Sequence, residues 1–145
     1  MMYRKCGIEQ TLVDLGALRA VPILSDDDAF SKSMEDFLSD ELESADAMDL
    51  ANAYRDIFES FGNEQREGAF KLQNFSCGHS ICLGSVHAES SNDTWKNFLG
   101  YLDSDGSAIH VFTENPVPLG DDIVEHRFFF STDPRLIGAV FWPNG

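Results

Sequence analysis

Apolar residues recur along the first half of this chain at spacings of three and four, and along much of the second half at every other position. Phe30, Met34, Phe37, Leu38, Leu42 and Ala45 keep the period of one buried helical face. Ser25 stands before them as a cap, with Asp26, Asp27 and Asp28 in the first turn against the positive end of the helix. A second run, Met48, Ala51, Tyr54, Phe58 and Phe61, follows the cap pattern Asp46 and Asp49, and Gly62 is its natural stop. The pattern leaves open whether 25–61 is one helix or two, because 44–46 serves equally as a join or a continuation. Residues 1–24 are mixed: Thr11, Leu12, Val13, Leu15 and Leu18 fit a short helix or an extended segment that ends near Pro22.

After Ala69 the period shortens to two. Two strand-like runs flank Gly78-His79-Ser80, with Cys77 before the turn and Cys82 after it. With His79 and Ser80 at the tip, Cys77 opposes Cys82 across an antiparallel pair. Such a pair sets the Cα atoms roughly 4.5 to 5.5 Å apart, within reach of a disulfide. A helix then starts at Ser91-Asn92-Asp93, shows Trp95, Phe98, Leu99 and Leu102 on one face, and ends at Gly106. Three strands are expected after it, over 107–114, 121–132 and 135–142, separated by turns at Asn115-Pro116 and Asp133-Pro134. The expected fold class is α+β: an antiparallel sheet of about five strands, an acidic N-terminal helical region, and one helix between strands 2 and 3. Helices are expected to pack on one face of the sheet. One domain is expected over 1–145, made of an N-terminal segment (1–24), the acidic helical region (25–67) and the sheet region (68–145).

The Cys-x-x-x-x-Cys hairpin, the alternating strand over 83–88, and the short amphipathic helix with Trp95, Phe98 and Leu99 together resemble uncharacterised proteobacterial cell-envelope domains. The resemblance covers 75–102. It implies a periplasmic binding module and carries over no functional residue. In two respects the chain departs from those domains: they usually follow a signal peptide, and a basic residue is common after the second Cys, where this chain has Leu83.

Charge narrows the class of partner. The net charge is −15 over 145 residues, which argues against nucleic acid, whose phosphates need clustered Lys and Arg, and against anionic lipid. No stretch approaches the ~18 apolar residues of a membrane span, so no membrane insertion is expected. Residues 1–6 are basic, but 7–24 are interrupted by Glu9, Asp14, Arg19 and Pro22, which is not the pattern of a signal peptide. The expected location is the periplasm or cell envelope, with the leader missing from the chain; the alternative is the cytoplasm. Cys6 reads as a lone tail thiol. Within 26–67, fourteen acidic residues face Lys32, Arg55 and Arg66, a local balance of −11. Glu35, Asp36, Asp40, Glu43, Asp49, Asp56 and Glu59 fall outside the apolar stripe and are the expected contacts for a basic protein partner.

Four patterns of chemistry bear on enzyme function. Gly78-His79-Ser80-Ile81-Cys82 falls one residue short of the Gly-x-Ser-x-Gly elbow, and a strand follows it where the elbow needs a helix. Cys77 beside His79 resembles a thiol nucleophile, but a Cys facing another across a hairpin is more often structural. Asp103, Asp105, Ser107 and Glu114 occupy positions 1, 3, 5 and 12 of a calcium-loop register, with Ala108 where the turn requires Gly. His87, His110 and His126 lie in expected strands without metal-ligand spacing. No catalytic residue, metal or cofactor is therefore assigned.

The last candidate is aromatic. Phe128-Phe129-Phe130 and Phe141-Trp142 place rings on both faces of neighbouring strands. Either helices cover both faces, or a patch containing Phe129 and Trp142 is left for a partner. The sequence thus points to a non-enzymatic binding module, of the kind formed by immunity or inhibitor proteins. The alternatives are a small hydrolase or thiol enzyme using Cys77, His79 and Ser80, or a scaffold component of an envelope assembly.

Overall fold

The computed structural model describes residues 23–78, 81–104, 109 and 111–132. Helix α1 spans Asp27–Leu42 and α2 spans Ala45–Asn63. Strands β1 (Phe70–Cys77) and β2 (Ile81–Glu89) form the hairpin, α3 (Thr94–Ser104) follows, and β3 (Val111–Gly120) and β4 (Ile123–Ser131) complete the described chain. The fold is α+β with a four-stranded antiparallel sheet in the order β1-β2-β4-β3. The strand expected over 135–142, and Trp142 with it, lies outside the described residues, as do residues 1–22.

The break between α1 and α2 answers the question that the periodicity left open. Ser44 is extended, with φ −137° and ψ 119°, and its side chain accepts a hydrogen bond from the Ala47 amide at 3.2 Å. Ser44 is thus the cap of a second helix, and Asp46 sits in that helix's first turn. At the start of α1 the cap is Asp26, one residue later than expected. Residues 23–25 are themselves helical, which places Ser25 at the end of a preceding turn; Asp26 is extended and accepts from the Ala29 amide at 2.9 Å. α2 runs one residue past Gly62, to Asn63.

Helices cover both faces of the sheet, not one. On the first face, Phe75, Cys77, Cys82, Val86, Ala88, Phe128 and Phe130 join a single core with Tyr54, Phe58 and Phe61 of α2 and Trp95, Phe98 and Leu102 of α3. The Phe58 ring lies 4.8 Å from Phe98 and 5.2 Å from Phe75. On the opposite face, α1 reaches Ser76 through Glu41 and Arg127 through Asp27. Two covered faces explain why Phe128, Phe129 and Phe130 can be consecutive: each alternate ring enters a different apolar layer, and all three are buried. Phe129, 1% exposed, is therefore a packing residue and offers no surface to a partner.

The second hairpin corrects the expected turn. β3 runs straight through Asn115-Pro116, and the reversal comes at Asp121-Asp122, with φ of 53° and 63°. Two consecutive positive φ values are the signature of the tight turn that matches strand twist, and Asp tolerates them better than most residues. Pro116 and Pro118 are admitted because β3 is an edge among the described strands. Standing two residues apart, opposite His126 and Val124, both point their missing amide away from β4.

Gly84 is a tight point of the sheet. It pairs with Phe75 on one side and Phe128 on the other, and an added Cβ would meet Asn74 O at 2.5 Å and the two rings at 2.9 and 3.0 Å. Only hydrogen fits there.

Candidate protein-docking surface

The register of α1 decides what this surface presents. The apolar sequence stripe predicts that Met34, Leu38 and Leu42 turn inward. Phe30 and Phe37 of the expected stripe are buried, but the rest of the buried face is Ser33 and Glu41, while Leu38 is 46% and Leu42 65% exposed. Burial of the carboxylate is what holds the helix in this rotation. Glu41 accepts from Arg55 of α2 at 3.0 and 3.1 Å, from the Ser76 hydroxyl at 2.8 Å and from the Cys77 amide at 3.2 Å. Arg55 also donates to Phe75 O at 2.9 Å. A buried carboxylate is tolerable only when its lone pairs are filled in this way.

These bonds also cap the outer edge of β1. Glu89 N donates to Ala69 O and Gly78 N to Ile81 O, each at 2.9 Å, so those two residues face β2. By alternation, the backbone groups of Phe75 and Cys77 face outward, where Arg55 and Glu41 take them up. A bulge between Leu72 and Asn74 interrupts the same edge. Here a cleft of about 540 Å³ opens between α1 and β1, with Phe30, Met34, Leu38, Leu72 and Phe75 among its walls and Glu35 at its rim.

Of the acidic residues expected to meet a partner, Glu35, Glu43, Asp49, Asp56 and Glu59 are exposed and Asp36 and Asp40 half-buried. Glu35 alone among them lines the cleft; the rest lie along the two helices. Met48, 36% exposed, adds a further apolar position at the start of α2. Glu41, Arg55 and Ser33 set the rotation of α1, and the apolar count passed over them. The signal was present: Glu41 lies four residues after Phe37 and eleven after Phe30, on the same helical face.

Cys77 and Cys82 are joined by a disulfide and both are fully buried. Cys77 is thus no thiolate nucleophile in this state, and His79 and Ser80 lie outside the described residues. No protein family, curated protein or solved structure matches this chain. What the structure bears out of the expected pattern is the Cys77–Cys82 staple and the helix that follows the hairpin.

His87 and His126, the described histidines, each face a carboxylate. His87 Nε2 lies 2.8 Å from Glu125 Oε1. His126 stacks on Trp95 at 4.3 Å between ring centroids, and its Nδ1 lies 2.9 Å from Glu114 Oε2. Trp95 Nε1 donates to the other oxygen of that carboxylate at 3.0 Å, so Glu114, expected at the end of a calcium register, ties α3 to the sheet. His110, Asp105 and Ser107 are outside the described residues. Among the described residues, no group of three His, Cys, Asp or Glu side chains is placed to hold a metal ion. Nor is any described helix long and apolar enough to cross a membrane.

On the α1 face, Arg127 is nearly buried between Asp27 and Glu125, donates to Leu24 O at 3.2 Å and lies 5.0 Å over the Phe30 ring. Burial pushes the Glu125 carboxyl up, but hydrogen bonds and charge from Arg127 and His87 outweigh it and hold the group below its ordinary value. Burial likewise works against the Arg127 charge, and Glu125 and Asp27 overcome it, raising its affinity for the proton. This cluster pins the first turn of α1 to β4, and so fixes one wall of the cleft.

Proposed function

We propose that this chain is a non-enzymatic protein-binding module of the bacterial cell envelope, which captures or inhibits a basic protein in the manner of an immunity or inhibitor protein. The observation that carries the reading is the pairing of two features on one helical hairpin. Exposed carboxylates crowd 26–67, where the balance is −11, and apolar Leu38, Leu42 and Met48 stand exposed among them. Apart from Asp26, Asp27 and Glu41, which cap or pair within the fold, these carboxylates mainly repel one another; a basic partner would relieve that repulsion and be drawn in by the field. The leucines would then supply the water-excluding contact that charge alone does not.

The buried Cys77–Cys82 bridge favours an oxidising compartment, which in a bacterium is the envelope side of the inner membrane. The thiol-enzyme alternative at Cys77 would need this bridge open. The test is affinity capture from an envelope extract of the source organism at low and high salt. A basic protein retained at low salt and released at high salt is the expected result. An assembly that resists salt favours the scaffold alternative instead.

A further inference from the structure

We infer that the cleft between α1 and β1 is the anchor site of this surface, and that its occupant is an extended segment of a basic partner, carrying one large apolar side chain flanked by Lys or Arg. The inference rests on the binding-module reading above and names its site and recognition chemistry. Along the outer edge of β1, the helices cover both ends. Phe70 O packs against Gly62, where a Cβ would come within 3.3 Å, and Phe75 O and Cys77 N are taken by Arg55 and Glu41. The floor of the cleft lies between those ends, at the bulge around Gln73.

The volume, about 540 Å³, is within the range of sites that seat a side chain together with its backbone. Its walls, Met34, Leu38 and Leu72, are apolar and no more than half-buried, so an apolar insert would dehydrate surface that folding has left wet. Charge selects the flanks. Arg55, the cation of the cleft, is neutralised by Glu41, which leaves Glu35 and the surrounding helical carboxylates to act on the occupant. An acidic or neutral segment would gain nothing from that field, and a purely basic one would leave the apolar walls in water.

The test uses the full chain, labelled with 15N, and three peptides: acetyl-Lys-Arg-Lys-Leu-Lys-Arg-amide, the same peptide with Gln for Leu, and an acidic counterpart with Glu for every cation. The first should bind at least tenfold tighter than either of the others, with amide shifts centred on Met34, Leu38, Leu72 and Gln73. The double variant Met34→Gln/Leu38→Gln, which changes only partly exposed positions, should lose that tenfold preference while retaining a native spectrum. Equal binding of the Leu and Gln peptides, with shifts spread along Asp49, Asp56 and Glu59, would overturn the cleft and leave electrostatic steering standing. Binding of no basic peptide at low salt would count against both. Cleft resonances that shift with protein concentration, or contacts from residues 1–22 or 133–145 in the cleft, would assign it to a second copy or to the chain itself and so overturn the inference.

Discussion

Replacing Glu41 with Ala tests the rotation of α1, on which the exposed surface depends. The Glu41 carboxylate is 4% exposed and holds four hydrogen bonds. Truncation leaves the Ser76 hydroxyl and Cys77 amide, both on fully buried residues, without their acceptor, at roughly 1 kcal/mol or more each. Arg55, 28% exposed, recovers part of its solvation, so its loss is discounted to about 1 kcal/mol. The total is about 3 kcal/mol. Leu42→Ala, at a position 65% exposed, should cost less than about 0.5 kcal/mol. Glu41→Gln keeps one acceptor oxygen and should fall between the two. Urea unfolding at neutral pH, with unchanged dependence on urea concentration, reads these differences directly. If Leu42→Ala costs more than Glu41→Ala, α1 is rotated by about 100° onto its leucines, and the cleft loses its wall.

Further outcomes follow from the packing and from the buried charges. Gly84→Ala forces a methyl group into Asn74 O and two rings and should cost about 2 to 3 kcal/mol, seen as a lower melting temperature; an unchanged value would mean that the β1-β2-β4 register is wrong. Replacing Cys77 and Cys82 together by Ala should lower stability by about 2 kcal/mol, the loop-closure entropy for so short a loop, without unfolding the domain at room temperature. Because both sulfurs are buried, reductant should open the bridge slowly in buffer and quickly in urea; equally fast reduction in both would contradict the burial. Glu125 is held below its ordinary carboxyl value, so its contribution is present above that value, near 4.5, and is lost as pH falls through the depressed one. Glu125→Gln should therefore flatten the acid side of the stability profile, and a parallel profile would remove Arg127 and His87 as its partners.

The local elements were legible because their signals are local. The helical periods, the Trp95, Phe98 and Leu102 face of α3, and the pairing of Cys77 with Cys82 each depend on residues within one turn or one hairpin, whereas the caps fall at Asp26 and Ser44 and not at the expected Ser25 and Asp46. What escaped depends on neighbours distant in sequence. Pro116 reads as a turn until β3 is known to lie at an edge, where a missing amide costs no ladder bond. Phe129 reads as a surplus ring until α1 is found across the second face. The stripe of Met34, Leu38 and Leu42 reads as core because hydrophobic counting takes no account of Glu41, whose partners on α2 and β1 lie 14 to 36 residues away. Two exposed leucines and one buried carboxylate on α1 are thus set by contacts that a count along one helix does not include.

Electrostatic capture on the α1–α2 surface, as proposed, would act first on the rate of association. Its most direct test is the association rate of the captured basic protein, followed by stopped flow across a salt series, for the native chain and for Glu35→Gln/Glu43→Gln/Asp49→Asn/Asp56→Asn. All four positions are exposed, so the variant should fold and, with repulsion relieved, melt slightly higher at low salt. Association should be at least tenfold slower at low salt, with a flatter salt dependence and dissociation within about twofold of native. Native association rates at every salt concentration would contradict it.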